Sequence, residues 1–438
     1  MNKPTIAAIA TPPGRGGVGV IRISGENALN ILQQLSRSDK TYSPRMATLS
    51  SWFDSEGDTL DQGLSLYFPA PHSYTGEHTV ELQGHGGPVL LRALLERLFA
   101  LGCRPAEPGE FTRRAVENGK MDLAQAEAVA ACIDAATVRA GKQAQRQLQG
   151  AFGEHIEQLM QRLTSLVAHV EASLDFPEEE IPALFFEHLA EEMQQQLILP
   201  IQAMLDSAPL GERLFDGATV AIIGAPNVGK SSLLNALSGR DRAIVSNIPG
   251  TTRDVLEVDF EVHGIPVRLA DTAGLRVSED VIEQEGVRRA EQTAAQADAT
   301  IFVADATNPD TWICRFDADI YLMNKVDLQH DGFPGHFITV SAASGEGLQD
   351  LKDCLASCLG DIEMADESMI VTRERHRQSL ADALLCIETG MSTLHVEEQL
   401  EITAMQWRHA WSALGGILGI GDVEYILDRI FSEFCIGK

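Results

Sequence analysis

The sequence has no apolar run approaching the roughly 20 residues that a bilayer-spanning helix needs. Its opening residues, Met1-Asn2-Lys3-Pro4-Thr5, lack the apolar stretch of a secretory signal. Both absences point to the cytoplasm and away from a membrane. Positive charge is also scarce: 34 lysines and arginines stand against 63 aspartates and glutamates, a formal charge of −29. Non-specific adhesion to nucleic acid needs cations that displace counterions, so nucleic acid must be held by a local basic patch or by a partner. The seven cysteines are scattered without a CxxC pair and the 12 histidines are dispersed, which leaves no zinc-type cage. Cys354 and Cys358, one helical turn apart, are expected to pack in a core. There is no internal repeat and no low-complexity tract.

What is present fills 438 residues, 44% of them apolar, enough for about three domains. Up to about Asn118, strand patterns interleave with helical ones and predict a small α+β domain. One strand holds Val18, Val20 and Ile21 to Ile23; another is Val80-Glu81-Leu82, ended by Gly84-His85-Gly86-Gly87-Pro88; Val89 to Leu101 has helical spacing. From residue 119 to 215 the texture is helical. Leu148, Phe152, Ile156, Leu159, Leu163, Leu166, Val170 and Leu174 mark one apolar face of a long helix. A further helical stretch covers about Phe186 to Ala208. Residues 216–360 then read as a nucleotide-binding α/β domain, and helical texture returns over 361–438. The flanking helical segments are expected to pack on each other, with the α/β domain inserted between them.

The α/β segment carries the chemistry. Gly224-Ala225-Pro226-Asn227-Val228-Gly229-Lys230-Ser231 follows the apolar strand Val220 to Ile223 and precedes a helix beginning at Ser232. That is the full phosphate-loop pattern in the context it requires. Backbone N–H groups would face the phosphates, Lys230 would reach the β- and γ-phosphates, and the Ser231 hydroxyl would hold Mg²⁺. Three further elements follow in order. Thr251-Thr252 can supply a switch hydroxyl, with Thr252 on Mg²⁺. Asp271-Thr272-Ala273-Gly274 follows the strand Val267 to Ala270 and suits Mg²⁺ support and a turn toward the γ-phosphate. Asn324-Lys325-Val326-Asp327 follows Ile320 to Met323, and its carboxylate can accept from N1 and N2 of guanine, a donor pair that adenine lacks. Ser341-Ala342-Ala343 can close over the base. The expected activity is GTP hydrolysis.

The glutamine that orients water in Ras-like switches is missing: Leu275 holds its place. Arg253, Arg276, Glu279, Asp280, Glu283 and Glu285 are the nearby alternatives.

The phosphate loop, Ser246-Asn247-Ile248-Pro249-Gly250-Thr251-Thr252-Arg253-Asp254 and Asp271 to Arg276 together resemble the MnmE (TrmE) family of tRNA-modification GTPases. The resemblance extends to residues 10–19, 81–87, 104–112 and 119–128 and to the tail Cys435-Ile436-Gly437-Lys438, so it covers essentially the whole chain. It implies a multidomain α/β protein with an α+β folate-binding N-terminal domain, a helical domain and an inserted P-loop Ras-like G domain. It also implies K⁺ activation, with G domains dimerising across the nucleotides. Asn227 would give K⁺ a side-chain oxygen, and Ser246, Ile248 and Thr251 backbone oxygens. A cation at the β/γ bridge can replace an arginine finger. Glu283 matches the family's catalytic glutamate.

In the N-terminal domain, which the resemblance makes a homodimer, Arg22, Glu81, Lys120 and Lys438 match contacts to a 5-formyl- or 5,10-methylene-tetrahydrofolate. On the residues alone, Arg22 is an alternating strand residue and Lys120 a surface position. The implied partner is MnmG, an FAD protein forming a heterotetramer with this chain. The implied product is a carboxymethylaminomethyl or aminomethyl group on C5 of the wobble uridine, position 34, of certain tRNAs. Nitrogen would come from glycine or ammonium. Cys435 reads either as a tail anchor or as a residue of the modification chemistry. Two rivals are a ribosome-assembly switch and a folate enzyme regulated by GTP. Between Asp305 and Ile320 the chain is shorter than the family usually has, which predicts a turn in place of the crossover helix.

Overall fold

The computed structural model describes residues 3–38, 41–175, 183–239, 260–270, 295–314, 317–329, 332–360, 370–396, 399–421, 424–432, 434, 436 and 437. They divide into two units. One takes residues up to 130 and from 415 onward; the other lies between.

The first unit is built on a six-stranded sheet in the order β3-β4-β5-β2-β1-β6. Its strands are β1 Ile6–Ile9, β2 Gly16–Ser24, β3 Thr48–Phe53, β4 Thr59–Phe68, β5 Thr79–Gly86 and β6 Arg104–Pro105. Alternate residues of β2 and β5, among them Ile21, Ile23, Val80 and Leu82, pack with the helices Ala28–Ser36 and Pro88–Ala100 in one core. The sequence places the end of β5 at Gly84; the strand instead runs on to Gly86. Its glycines permit a close backbone approach, because a Cβ at Gly86 would sit 2.6 Å from the Gly16 carbonyl oxygen.

The C-terminal segment belongs to this unit. Leu427, Phe431 and Phe434 pack with Leu123, Ala126 and Ala130. Ile436 bridges to Pro108. Gly437 has a φ of 101° and lies so close to Ile9 that any side chain there would overlap its carbonyl.

The second unit holds a six-stranded sheet in the order β12-β11-β10-β7-β9-β8. Its strands are β7 Ala218–Ile223, β8 Phe260–Val262, β9 Ile265–Ala270, β10 Ala299–Asp305, β11 Ile320–Asn324 and β12 Ile338–Val340. All neighbours are parallel except β8 with β9. The unbroken apolar runs of β7 and β10 follow from this, since a central parallel strand is covered on both faces. The last helix of this α/β part, Leu348–Leu359, ends before Gly360.

The helical part departs from the sequence reading in one respect. The long helix expected from Leu148 onward loses only its first residue: Leu123–Asp134, Val138–Leu148 and Ala151–Asp175 are separate helices, and Leu148 closes the second. Thr137 caps the second through its side chain, and Gly150, with a φ of 96°, breaks the chain before the third. Within Ala151–Asp175 the buried residues Phe152, Ile156, Leu159, Leu163, Leu166 and Val170 keep the expected stripe. Helix Ala183–Met193 passes through a π turn, Gln194–Ile198, into helix Leu199–Asp216.

The chain returning from the α/β part is tied to these helices. Gln147 donates to the Ile370 carbonyl at 3.2 Å, the Val371 amide donates to Ser207 Oγ at 3.1 Å, and Gly211 leaves no room for a Cβ against Val371. Cys354 packs against the α/β core, but Cys358, one turn further along its helix, is exposed, contrary to the expected shared burial.

Candidate functional site

The phosphate loop is shaped by three residues with positive φ. Gly224 is at 146°, Asn227 at 65° and Gly229 at 100°. Gly229 is the N-cap of helix Lys230–Ser238, so the loop leads directly into a helix N-terminus, where backbone N–H groups and the helix dipole favour an anion. Ser231 and Ser232 are exposed in the first turn. Lys230 Nζ donates to the carbonyl oxygens of Gly224 at 2.7 Å and Ala225 at 2.8 Å, folding the ammonium across the loop. Removal from water pushes its pKa down. A lysine held by loop carbonyls is poised to exchange them for phosphate oxygens, and the loop fits a Mg²⁺-bound triphosphate.

The base-reading motif leaves the end of β11. Asn324 is 1% exposed and uses both ends of its amide: Nδ2 donates to the Val228 carbonyl at 2.9 Å, and Oδ1 accepts from the Ala342 amide at 3.1 Å. It therefore joins the phosphate loop to Ser341-Ala342-Ala343. A Cβ at Gly229 would overlap Asn324 Nδ2, so glycine is required there for this contact as well as for φ. Ser341 is buried and its Oγ accepts from the Ser344 amide, while Ala343 is exposed. Asp327 is exposed in the turn after β11.

Lys325, with a φ of 66°, donates to the Asn227 carbonyl at 2.9 Å and to Asp305 Oδ2 at 2.5 Å. Asp305 escaped the sequence reading. Burial works to raise its pKa, but hydrogen bonds from Lys325 and Thr307 outweigh that, so its carboxyl is held below the usual range. The available signal was an acidic residue closing the largely apolar strand Ala299–Asp305. The shortened crossover after it forms a 3-10 turn, Pro309–Thr311, and Trp312 Nε1 donates to the Asp305 carbonyl at 2.8 Å. Trp312 then packs on a small cluster holding Phe302, Met323 and Phe337.

Structure thus brings together Asn227, Val228, Gly229, Lys230, Asn324, Lys325 and Ala342. Outside the described residues lie Ser246, Asn247, Ile248, Pro249, Gly250, Thr251, Thr252, Arg253, Asp271, Thr272, Ala273, Gly274, Leu275, Arg276, Glu279, Asp280, Glu283 and Glu285, and also Cys435 and Lys438.

In the N-terminal unit, Arg22 on β2 faces Glu81 on β5 in direct register, with an ion pair of 2.9 Å. Their side chains keep 22% and 19% exposure. The Arg22 guanidinium lies 5.2 Å from the Tyr74 ring centre and 5.8 Å from that of Phe111, two residues the sequence reading passed over. Lys120 is exposed beside Gly76, on the loop that carries Tyr74. Ala8 opposes Arg22 across β1 and β2, and Gly437 approaches Ile9, the residue next to Ala8 on β1. Charged hydrogen-bonding groups beside an aromatic ring fit a polar, planar ligand.

Residues 123–435 match the description "MnmE helical domain", and residues 5–120 match "GTP-binding protein TrmE N-terminus". This chain belongs to the MnmE family. Relatives named "tRNA modification GTPase MnmE" include that of Nitrosomonas europaea, 44% identical over 451 residues and covering 99% of each chain. That of Pseudomonas syringae pv. syringae is 45% identical over 460 residues and covers 100% of each. Among solved structures, the FeoB G-domain from Methanococcus jannaschii is similar at 22% identity, covering 32% of this chain and 97% of that one, with a TM-score of 0.24.

Proposed function

We propose that this chain is a potassium-activated GTPase that acts with MnmG to build a carboxymethylaminomethyl or aminomethyl group on C5 of the tRNA wobble uridine. Membership of the MnmE family makes it a GTP hydrolase of tRNA modification; the ion, the partner and the product are the proposal. The observation that carries it is end-to-end similarity at 44–45% to relatives named for this role, joined to a phosphate loop and base-reading motif tied by Asn324.

In this reading residues 1–118 bind the tetrahydrofolate and dimerise, residues 119–215 and 361–438 form the helical domain, and residues 216–360 are the G domain. Ser231 and Thr252 would hold Mg²⁺, and Lys230 the β- and γ-phosphates. Asn227, Ser246, Ile248 and Thr251 would hold K⁺, whose charge neutralises the developing negative charge on the phosphates. Glu283 would position water indirectly, in the place of the missing switch glutamine. Cys435 would serve the modification step and not hydrolysis. A net charge of −29 fits a division in which MnmG holds much of the tRNA, and the setting is cytoplasmic.

Nucleoside analysis of tRNA from cells lacking this chain tests the whole reading. The modified wobble uridine should disappear. If it persists while ribosome assembly fails, the chain is an assembly switch instead.

The ion has its own test. GTP turnover should rise by about tenfold or more in K⁺ over Na⁺ at equal ionic strength, as expected when a charge-stabilising group is supplied at the transition state. Asn227→Ala should erase the difference. Equal rates of the parent protein in both salts would remove K⁺ from the reading.

A further inference from the structure

The end of β5 carries an arrangement that neither nucleotide nor folate binding uses. Asp61, on β4, is a carboxylate with a side chain only 5% exposed, and His85, on β5, has a side chain 71% exposed. His85 Nδ1 lies 2.7 Å from Asp61 Oδ1, and the His85 backbone amide donates to Asp61 Oδ2 at 2.9 Å. The Gln62 amide also donates to Oδ1, at 2.8 Å. Burial works to raise the Asp61 pKa, but the hydrogen bonds from His85 and Gln62 outweigh it, and the carboxyl is held below its usual range. An ionised carboxylate has no proton to give. The proton in the 2.7 Å contact therefore sits on Nδ1, which fixes the ring's orientation and leaves Nε2 as the nitrogen open to a reactant at the surface.

The surroundings leave room for a reactant. Gly86 pairs with Gly16 across the sheet. A Cβ at Gly17 would meet nothing within 4 Å, and one at Gly87 only Leu90 at 4.0 Å. Val18 and Val89 flank this edge at 63% and 81% exposure. Asp61 already accepts the His85 backbone N–H, which ties β5 to β4, so the imidazole adds little that strand pairing needs.

We infer that Asp61 and His85 form a proton-transfer pair for the uridine-modification step, with His85 Nε2 as general base toward an amine and Asp61 as the residue that positions the ring. The inference rests on the proposed modification function. In the step, an N–H bond of the ammonium form breaks, the electron pair stays on the amine nitrogen as its nucleophilic lone pair, and an Nε2–H bond forms. The imidazolium is stabilised by Asp61 and returns its proton to water through the exposed ring.

The test uses the full-length chain with MnmG, tRNA, methylenetetrahydrofolate, GTP and ammonium, and reads modified uridine and GTP turnover separately. His85→Ala should slow modification by roughly 10²- to 10³-fold, the usual contribution of a positioned base. GTP turnover should stay within about twofold. Added imidazole should restore part of the lost rate in His85→Ala, because the exposed site admits a free base; a merely structural histidine would show no such response. His85→Gln keeps a hydrogen-bonding group for Asp61 but cannot take the proton, so it should be as slow as alanine. Asp61→Asn should cost about 10- to 100-fold, as loss of an orienting carboxylate does. Parental modification by either His85 variant, or a loss that imidazole does not relieve, overturns the pair. Absence of product with the parent protein overturns the modification reading itself, and the pair with it.

Discussion

Asp327→Asn should lower GTP affinity by about 10²- to 10⁴-fold while raising affinity for xanthosine triphosphate. The proposed carboxylate accepts from N1–H and from the N2 amino group of guanine. A hydrogen bond to a charged group contributes about 1.5–3 kcal/mol and an unsatisfied buried donor costs about 1–3 kcal/mol, and the range follows from losing the one and leaving the other. The asparagine amide presents N–H where guanine also presents N–H, so one donor pair clashes and is left unsatisfied. Xanthine carries a carbonyl oxygen at that position and accepts the new donor, while the asparagine oxygen still accepts from N1–H. Asp327 is exposed in the turn after β11, so the substitution leaves the packing of buried Val326 and Met323 untouched. Titration with fluorescent GTP and xanthosine triphosphate analogues reads both effects. Unchanged GTP affinity would mean that Asp327 does not read the base.

Arg114→Ala should destabilise the N-terminal unit by about 3 kcal/mol, at the lower end of what breaking a buried ion pair costs. Arg114 is 2% exposed. It donates to Glu77 at 2.9 Å, to Glu110 at 2.7 Å and to the Pro4 carbonyl at 2.9 Å. Alanine leaves two largely buried carboxylates without their shared cation. Arg104 still reaches Glu110 and Ser24 still donates to Glu77, which keeps the loss from the upper end.

The pH dependence has a definite sign. Burial works to raise the Glu110 pKa, but hydrogen bonds from Glu107, Arg114 and Arg104 outweigh it and leave it lowered. Its stabilisation is therefore fully present above the unfolded value, about 4.3, and is lost as pH falls through the lower folded value. Denaturant unfolding at neutral pH and below pH 4 should show the variant's deficit shrinking in acid. A deficit under about 0.5 kcal/mol at neutral pH would mean that the two carboxylates are solvated without Arg114.

The nucleotide site was legible because its chemistry is local. A phosphate loop needs its glycines, lysine and serine within one strand–loop–helix, so consecutive residues declare it. β7, β9, β11 and β12 were legible as apolar runs that end where the motifs begin.

Only the tertiary structure decided which distant residues meet. Asp305 and Lys325 are 20 residues apart and pair because parallel strands β10 and β11 end together. Arg22 and Glu81 look like ordinary alternating positions until antiparallel register sets them opposite each other beside Tyr74. The same holds for Asp61 and His85, where glycines that read as a strand terminator instead let β5 continue and carry the imidazole to the carboxylate. Long-range pairing is invisible to periodicity because periodicity records which way a side chain points, not what stands across from it. The break at the head of the long helix has a related cause: the apolar stripe runs on from Leu148 to Phe152, and Gly150 separates them only through its left-handed backbone.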